Sequence, residues 1–411
     1  MNSLYNILVL VIGFLLKIIA VFNKKTHLFI EGRKETFLKL TVEIAKEDHV
    51  IWFHCASLGE FEQGRPILEK LKEENPTHKI VLTFFSPSGY EVRKNYEMAD
   101  VVCYLPLDIK QKAKKFLDIV NPELAVFVKY EFWPNILNEL KNRRVQTILV
   151  SGIFRKKQSF FKWYGGWMRK SLKVFEHFFV QDEDSKALLN SINFNNVTVS
   201  GDTRFDRVYE ITKQDNQLLF IEEFKNNKYT LVAGSTWKED EELLIEYINN
   251  IASVDEKFII APHNINREAI KKLKNSIIKE AVLFSEKEQQ ELENKQVFII
   301  DTVGILTKIY SYADAAYVGG GYTKSGVHNV LEPATFGIPI LIGPNYHKFN
   351  EAVDLVKQEA CFTINNSKKL SVLLKKLFQL KDFRKKAGEN ALKYVMDEIG
   401  ATTKILYYLK K

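Results

Sequence analysis

The first group of residues whose types could do chemistry is HCASLGE, at positions 54–60, between an apolar strand-like run and a helical stretch. Gly59 permits a tight turn from strand to helix, and the start of the helix offers free backbone N–H groups. Glu60 would then lie beyond the carboxyl end of the strand, where it can act as a general base toward an alcohol. In the alternative interpretation, Glu60 only stabilises the first helical turn through the helix dipole.

Two further motifs carry charged groups, one directly after a predicted strand and the other at the end of the first predicted domain. KYEFWPN, at positions 129–135, supplies Glu131 as a second acidic candidate, and its Trp133 suits the core as well as it suits ligand contact. SGDTRFD, at positions 200–206, supplies Arg204, a fixed cation that can neutralise a departing phosphate. Alternatively, Arg204 is a surface residue that forms an ion pair with Asp202 or Asp206.

The most specific pattern is a run of three glycines at 319–321, directly after a predicted strand, followed by SGVHNVLEPA at 325–334. Glycines let the backbone approach a phosphate closely, and a helix starting near His328 or Asn329 would aim its N-terminus at that phosphate. Glu332, one turn into this helix, can accept hydrogen bonds from ribose hydroxyls. The pattern is neither a Walker loop nor a dinucleotide fingerprint, because it lacks the Lys-Ser/Thr pair and comes late in its domain.

The sequence predicts no metal site and no cofactor. Asp182-Glu183-Asp184 has a DxD form, but it directly follows a predicted strand, where a helix N-cap is expected. The histidines are scattered, and no pair of them has the spacing of metal ligands. Three cysteines without a CxxC pair indicate a reducing compartment, and Cys55 and Cys103 lie in strand-like runs that predict buried thiols.

Apolar runs without strict alternation occur between helical stretches, as in parallel strands that are covered on both faces. The first series of predicted strands comprises residues 50–56, 80–85, 101–105, 124–128, 147–150 and 177–180, with helices at 63–74, 110–119 and 135–142. The second series comprises residues 230–233, 258–261, 297–300, 315–318 and 339–342. The expected fold class is α/β, with two Rossmann-like doubly wound domains facing each other across a cleft.

A polar stretch without strand signal, at about 206–228, separates the two series and predicts the linker. The expected divisions are an N-terminal membrane-anchor helix at 1–25, a first Rossmann-like domain at 26–210 and a second at 211–390. Residues 391–411 form a predicted C-terminal helix that could cross back to the first domain.

The N-terminal stretch, residues 4–22, is nearly all apolar, with Lys17 as its one charged residue. At about 1.5 Å per residue it is just long enough to cross a hydrocarbon core about 30 Å thick. Lys24 and Lys25 follow it, so the positive-inside rule keeps the body of the chain in the cytoplasm. Lying flat at the membrane surface and burial as a core helix are the alternatives.

The net charge of +8 favours anionic partners such as lipid headgroups and phosphorylated or carboxylated substrates, although a generally basic proteome gives the same balance. The chain has no recognisable helix-turn-helix, zinc-finger or RNP motif. Nucleic acid is therefore not expected as a partner.

Taken together, HCASLGE, KYEFWPN, VSGDTRFD, VAGST, DTVGIL and GVHNVLEPA occur in this order along the chain. In these motifs the sequence resembles the bacterial 3-deoxy-D-manno-octulosonic acid (Kdo) transferases, lipid A glycosyltransferases of the GT-B fold, over essentially its whole length. The resemblance implies a metal-independent, inverting transfer of Kdo from CMP-Kdo to the 6′ hydroxyl of a lipid A precursor. It also implies a place on the cytoplasmic face of the cell inner membrane, in lipopolysaccharide biosynthesis.

The resemblance further implies roles for individual residues. Glu60 matches the catalytic base, and Arg204 matches the cation that stabilises the transition state. Lys129 and Glu131 occupy the positions of two family acids, and Ser57 and Gly59 are assigned to the acceptor side. The CMP contacts carried over from the second domain are Pro262, His263, Gly304, Ile305, Leu306, Asn329, Val330, Leu331 and Glu332.

The sequence departs from the family pattern at several of these positions. The family's ETE is Lys129-Tyr130-Glu131 here, so a cation replaces an acid to which a stabilising role is often assigned. The family's PRH is Pro262-His263-Asn264, which lacks a phosphate-binding arginine that His263 or Arg267 could replace. GEL has become GIL at 304–306, and STH has become STW at 235–237.

Three alternatives to Kdo transfer remain open at this point. One is another nucleotide-sugar enzyme of the same fold, either a different glycosyltransferase or a sugar epimerase. The others are a membrane-tethered nucleic-acid-binding protein and a catalytically inactive scaffold.

Overall fold

The computed structural model describes residues 2–410, which form two compact units. Unit 1 comprises the chain up to Arg207 together with the segment from Ile399 onward, and unit 2 comprises Val208–Glu398. The C-terminal segment thus belongs to the first unit. The stretch expected to be a linker is largely helical.

The strands of the described chain are short and lie mostly between helices. They are β1 Val50–Cys55, β2 Lys79–Phe84, β3 Val101–Tyr104, β4 Leu124–Val128, β5 Gln146–Gly152, β6 His177–Val180, β7 Val197–Val199, β8 Tyr229–Thr236, β9 Glu256–Pro262, β10 Ala281–Leu283, β11 Val297–Ile299, β12 Ala315–Val318, β13 Ile340–Ile342 and β14 Cys361–Thr363. The helices are α1 Asn2–Ile19, α2 Lys24–Glu31, α3 Thr36–Glu43, α4 Leu58–Glu74, α5 Pro87–Arg93, α6 Lys110–Val120, α7 Pro134–Arg143, α8 Gly166–Leu172, α9 Glu183–Asn190, α10 Thr203–Thr212, α11 Leu219–Lys225, α12 Lys238–Asn250, α13 Arg267–Ser276, α14 Leu306–Ile309, α15 Leu331–Thr335, α16 Asn350–Lys357, α17 Ser367–Gln379, α18 Lys381–Glu398 and α19 Ala401–Leu409.

Each unit contains one seven-stranded sheet whose strand pairs are all parallel. The order is β3-β2-β1-β4-β5-β6-β7 in unit 1 and β10-β11-β9-β8-β12-β13-β14 in unit 2. Helices cover both faces, so most strand residues are buried whichever face they point to, and the strands do not alternate between apolar and polar residues. The predicted α/β class is confirmed, and each predicted strand is present.

Three strands were not predicted: β7, β10 and β14. Each has three residues, and each lies at an outer edge of its sheet. An edge strand has one pairing neighbour and buries less surface, so it needs no long apolar run and leaves a weak pattern in the sequence.

Helix α1 is neither a core helix nor a membrane-spanning one. Most of its apolar side chains are exposed, for example Leu4 at 69% and Phe14 at 64%, so the interpretation as a buried core helix is wrong. Among residues 2–410, no helix combines the length and hydropathy that crossing a membrane requires.

Polar contacts hold α1 on unit 1 through the buried carboxylate of Asp108. Tyr5 donates to Asp108 Oδ2 over 2.8 Å, and the same carboxylate accepts from the backbone N–H groups of Asn135 and Ile136 at the start of α7. Asn135 also donates to Asn6 Oδ1 over 2.8 Å. One acidic side chain therefore links α1 to the N-terminus of α7.

The predicted C-terminal helix is interrupted at Gly400, whose φ of +109° lies in the left-handed region that favours glycine. The side chain of Asp206 accepts hydrogen bonds from the backbone N–H groups of Gly400, over 2.5 Å, and Thr402, over 2.7 Å. Ile405 and Leu406 of α19 then join the core of unit 1.

We expect Asp206→Ala to destabilise unit 1 by about 1–3 kcal/mol, because two backbone donors at the start of α19 lose their acceptor. Urea unfolding followed by tryptophan fluorescence measures this, since four of the five tryptophans lie in unit 1. Glu47→Ala, at an exposed position, is the control and should change little. Equal stability of the two variants would contradict the anchoring role of Asp206.

Candidate active site

Glu60 is the third residue of α4, at the carboxyl end of β1, and only 8% of it is exposed. Its carboxylate turns back and accepts the backbone N–H of Ala56 over 2.5 Å, with a further hydrogen bond from the N–H of Ser57. Glu60 therefore caps the helix start through hydrogen bonds, a contact that the sequence-based interpretations did not include. This capping fixes where the carboxylate lies.

The surroundings of Glu60 also change its acidity. Burial, reinforced by the nearby charge of Glu131, raises the pKa of the Glu60 carboxyl to about 7, against smaller opposing effects of the Ala56 and Ser57 N–H groups and of Lys129. A carboxyl with a pKa near neutral pH is well suited to take a proton from a substrate hydroxyl. Capping of the helix start by Glu60 is therefore compatible with a role of the same carboxyl as a general base.

Glu131 lies in a buried polar network with His54 and Trp133. His54 Nε2 is 3.0 Å from Glu131 Oε2, and Trp133 Nε1 donates to that same oxygen over 2.7 Å. On its other side, His54 Nδ1 is 2.9 Å from the hydroxyl oxygen of Thr83. Trp133 is half-buried against Phe85, with ring centroids 4.6 Å apart, so it orients Glu131 as well as filling space.

Lys129, at the position where the resemblance predicts an acid, follows β4 with a φ of +70°. This left-handed conformation is uncommon for a residue with a side chain. The ammonium group lies 5.3 Å from the centroid of the Tyr130 ring and favours the ionised form of Glu60. The lysine at position 129 thus places a cation near the Glu60 carboxylate.

Arg204 forms an ion pair with Asp202, at 2.7 Å, whereas the carboxylate of Asp206 caps α19. Gln63 of α4 donates to both oxygens of the same Asp202 carboxylate, over 3.1 and 3.2 Å. Burial alone would raise the pKa of Asp202, but attraction and hydrogen bonds from Arg204, with Gln63, lower it. The guanidinium is thereby held in place while remaining partly exposed.

Tyr130 and Gln63 are site residues that sequence reasoning missed. The charges of Arg155, Glu60 and Arg204 all act on the Tyr130 hydroxyl, whose pKa is raised chiefly by burial, so this phenol lies among the charged groups of the site. Gln63 anchors Asp202. The sequence indicated Tyr130 only through its position between the candidate residues Lys129 and Glu131. It gave no signal for Gln63, because the role of Gln63 depends on its contact with Asp202, far along the chain.

Ser57 and Gly59, assigned to the acceptor side, lie at the start of α4. Ser57 is the N-cap residue. Gly59 does not lie in the left-handed region, and a Cβ added to it would meet no atom within 4 Å. The turn therefore does not require glycine at this position, contrary to the sequence-based explanation, and the space beside Gly59 is open.

In unit 2, the glycine run 319–321 serves chain packing. A Cβ on Gly319 would lie 2.3 Å from a backbone oxygen, and one on Gly321 would lie 2.6 Å from backbone atoms of another loop. Gly320 has a φ of +88°, and its N–H donates to Asp240 over 2.9 Å. The glycines let three loops meet, and the N–H of Gly320 is already used.

Trp237, His263 and His328 form an aromatic cluster at the ends of β8, β9 and β12. Ring centroids lie 4.8 Å apart for Trp237 and His263 and 4.4 Å apart for the two histidines, and Trp237 Nε1 donates to His328 Nε2 over 2.9 Å. Burial lowers the pKa of His263, and burial with the charge of His263 lowers that of His328 to about 4. His263 is therefore neutral at pH 7 and does not replace the charge of the missing arginine, whereas Arg267 begins α13 at an exposed position.

The segments expected to contact CMP come together within unit 2. Helix α15 begins at Leu331, later than predicted, and the side chains of Val330 and Leu331 are buried. Glu332 accepts from Asn329 Nδ2 over 3.1 Å and from Thr307 Oγ1 over 3.2 Å. A ligand could therefore contact residues 330 and 331 only through their backbone.

The remaining predicted CMP contacts lie beside this segment. Gly304 has a φ of +96°, Ile305 is the N-cap of α14, and Leu306 is its first residue, next to Thr307. Pro262 ends β9 directly before His263, which stacks on His328. The three groups of residues are thus neighbours at the carboxyl end of one sheet.

A cavity of about 540 Å³ between α12 and α13 borders this region, because Pro262 and Trp237 belong to its lining. The lining also includes the carboxylates of Glu241, Glu242 and Glu268 and the ammonium groups of Lys238 and Lys272. The carboxylates outnumber the cations, so the cavity as a whole does not favour a phosphate.

Comparison with solved structures identifies the class of fold. A glycosyltransferase from Rickettsia africae matches 89% of this chain and 98% of its own, with a TM-score of 0.56 and 14% identity. A UDP-GlcNAc 2-epimerase from Neisseria meningitidis matches 85% of this chain and 99% of its own, with a TM-score of 0.55 and 14% identity. The chain therefore has the two-domain fold of such enzymes.

Sequence comparison then narrows the class. The family model for 3-deoxy-D-manno-octulosonic-acid transferases (kdotransferases) matches residues 31–207. The enzyme of that name from Aquifex aeolicus is 29% identical over 80% of this chain and 86% of its own length. The one from Rickettsia typhi is 25% identical over 90% of this chain and 81% of its own length. The predicted resemblance to the Kdo transferases is confirmed.

We expect Glu131→Gln to lower the pKa of Glu60 from about 7, because the neighbouring negative charge that disfavours its ionisation is removed. Titration of the Glu60 carboxyl by NMR with ¹³C-labelled glutamate measures this shift. Glu62→Gln, on the same helix α4, is the control and should leave the Glu60 titration in place. An unchanged midpoint in Glu131→Gln would show that the two carboxylates are not coupled.

Proposed function

We propose that the protein transfers Kdo from CMP-Kdo to the 6′ hydroxyl of a lipid A precursor, with inversion and without a metal ion. The assignment of the protein to the Kdo transferases rests on the family match and the relatives described above. The acceptor, the stereochemistry and the residue roles are our proposal. The observation that supports the base role is the buried carboxyl of Glu60 at the carboxyl end of β1, with a pKa raised to about 7.

In the proposed reaction, the Glu60 carboxylate removes the proton from the acceptor hydroxyl. The oxygen forms a bond to the anomeric carbon of Kdo while the bond from that carbon to the CMP phosphate oxygen breaks, and CMP leaves with the electron pair. Arg204, held by Asp202, neutralises charge on the departing phosphate. Glu131 and Lys129 adjust the acidity of Glu60 from opposite directions.

In unit 2 we assign donor binding to the segments around Pro262, His263, Gly304–Leu306 and Asn329–Glu332. The ring face of His263, stacked beside Trp237, suits a flat base or sugar rather than a phosphate. Glu332, placed by Thr307 and Asn329, suits ribose hydroxyls.

We further propose that unit 1 binds the cytoplasmic face of the inner membrane through α1, where the lipid acceptor is reached. A groove of about 530 Å³ lies beside this helix, with apolar walls and the cations Lys17, Arg33, Lys34 and Lys112. Burial, with the charges of Lys17 and Arg33, lowers the pKa of Lys112, which means that these cations lie close together. Such a cluster suits the phosphates of a lipid, and the exposed apolar side chains of α1 suit its acyl region.

We expect Glu60→Gln to reduce kcat by about 10²–10⁴-fold, because the amide cannot accept the proton of the acceptor hydroxyl. Mass spectrometry of products from CMP-Kdo and lipid IVA measures transfer, and Glu62→Gln is the matched control. The parent should keep its rate with chelator present.

Turnover of Glu60→Gln at the parental rate would refute the base assignment. An isomerised donor without transfer would indicate the alternative, a sugar epimerase, and transfer of another sugar would indicate a different glycosyltransferase.

We expect the double change Lys17→Ala with Lys112→Ala to weaken binding to vesicles of anionic phospholipid by about fivefold per lysine, since each basic side chain near such a surface contributes about 1 kcal/mol. Vesicle sedimentation at several salt concentrations measures this. Lys238→Ala, in unit 2 with 85% of its side chain exposed, is the matched control. Equal binding by both variants would contradict membrane contact at the groove.

A further inference from the structure

Three side chains that can bind metal lie at the amino-terminal edge of the unit 1 sheet. His78, His49 and Glu123 each directly precede a strand, namely β2, β1 and β4, which are neighbours in that order. The backbone N–H of Lys79 donates to His49 O over 2.8 Å, and that of Glu123 donates to Val50 O over 2.9 Å. The sheet therefore fixes the backbone of all three residues.

The side-chain nitrogen and oxygen atoms of the three residues converge to distances close to those between metal ligands. His49 Nδ1 is 2.5 Å from Glu123 Oε1, and His78 Nε2 is 3.4 Å from Glu123 Oε2. One ligand atom of each residue lies within 4.8 Å of those of the other two. Around a tetrahedral zinc ion with bonds of about 2.0–2.2 Å, ligand atoms are about 3.3–3.6 Å apart, so small side-chain rotations complete the geometry.

The cation next to this cluster in the sequence is already paired with an acid. Lys79, at the start of β2, forms an ion pair with Asp48 at 3.3 Å. The second ring nitrogen of His78, Nδ1, is buried without a hydrogen-bond partner in the described chain, so no bond there opposes rotation of the ring.

We propose that His49, His78 and Glu123 bind one divalent transition-metal ion, with zinc as the best match to two imidazoles and a carboxylate, and with water in the fourth position. Their spacing along the sequence gave no sign of this site, because its ligands come from three separate strand starts. The site lies at the amino ends of the strands, whereas Glu60 lies beyond the carboxyl end of β1. The ion would hold the starts of β2, β1 and β4 together and take no part in sugar transfer.

The test uses the untagged full chain after chelator treatment and dialysis. Titration calorimetry with zinc sulfate should show one ion per chain, and zinc should raise the Tm. Cobalt(II) bound in its place should give the visible absorption bands of a four-coordinate site. His49→Ala and His78→Ala should each weaken binding by more than about tenfold, since each removes a direct ligand.

Two exposed histidines outside the cluster, His27 and His347, provide matched control variants that should bind zinc as the parent does. Glu123→Gln keeps the shape of the side chain and tests the site if an alanine variant does not fold. Zinc binding unchanged in His49→Ala, or the absence of saturation at one ion per chain, would overturn the proposal. Equal affinity for magnesium would overturn the assignment to a transition metal.

Discussion

The raised pKa of Glu60 in unit 1 depends on burial and on the nearby carboxylate of Glu131. In water the repulsion between the two carboxylates would be small. Partial burial strengthens this repulsion and makes it costly for both groups to be ionised at once. The fold reaches this arrangement by placing each acid directly after one of two adjacent parallel strands, β1 and β4. Backbone N–H groups then hold Glu60, while His54 and Trp133 hold Glu131.

Unit 2 reaches its form by a different principle, the close packing of loops at the carboxyl ends of its strands. Glycines 319 and 321 allow backbone to touch backbone, and Asp240 accepts the N–H of Gly320. These loops present the rings of Trp237, His263 and His328 and the carboxylate of Glu332, and they carry little positive charge. Charge for a nucleotide phosphate must then come mainly from outside the histidine cluster, since His263 and His328 are neutral at pH 7.

The sequence predicted those features that depend on local pattern or on a single residue type. Buried central strands were predicted because parallel strands need long apolar runs, and Asp182 was expected as an N-cap, where it accepts the N–H of Ser185 over 2.7 Å. The burial of Cys55 and Cys103 was also predicted.

Features that depend on contacts between distant residues could not be predicted. The sequence left open whether Arg204 pairs with Asp202 or with Asp206. Only the fold shows that the Asp206 carboxylate accepts backbone N–H groups at the start of α19. The raised pKa of Glu60 depends on burial and on a second acid, which no local motif encodes. The start of α15 was placed too early, because the Asn329 side chain accepts the N–H of Leu331 and delays the first turn.

The carboxylate of Asp108 touches both Tyr5 of α1 and the first N–H groups of α7. The loop that carries Glu131 ends where α7 begins. Asp108 therefore connects α1, whose apolar side chains are exposed, directly with the loop that bears Glu131. If α1 lies in a lipid layer, the depth and tilt of this helix set the distance between the loop that bears Glu131 and the lipid surface. A substrate whose acyl chains lie in the same lipid layer would then meet the reacting groups at a constant distance from that layer. No hinge motion would be needed to set this distance.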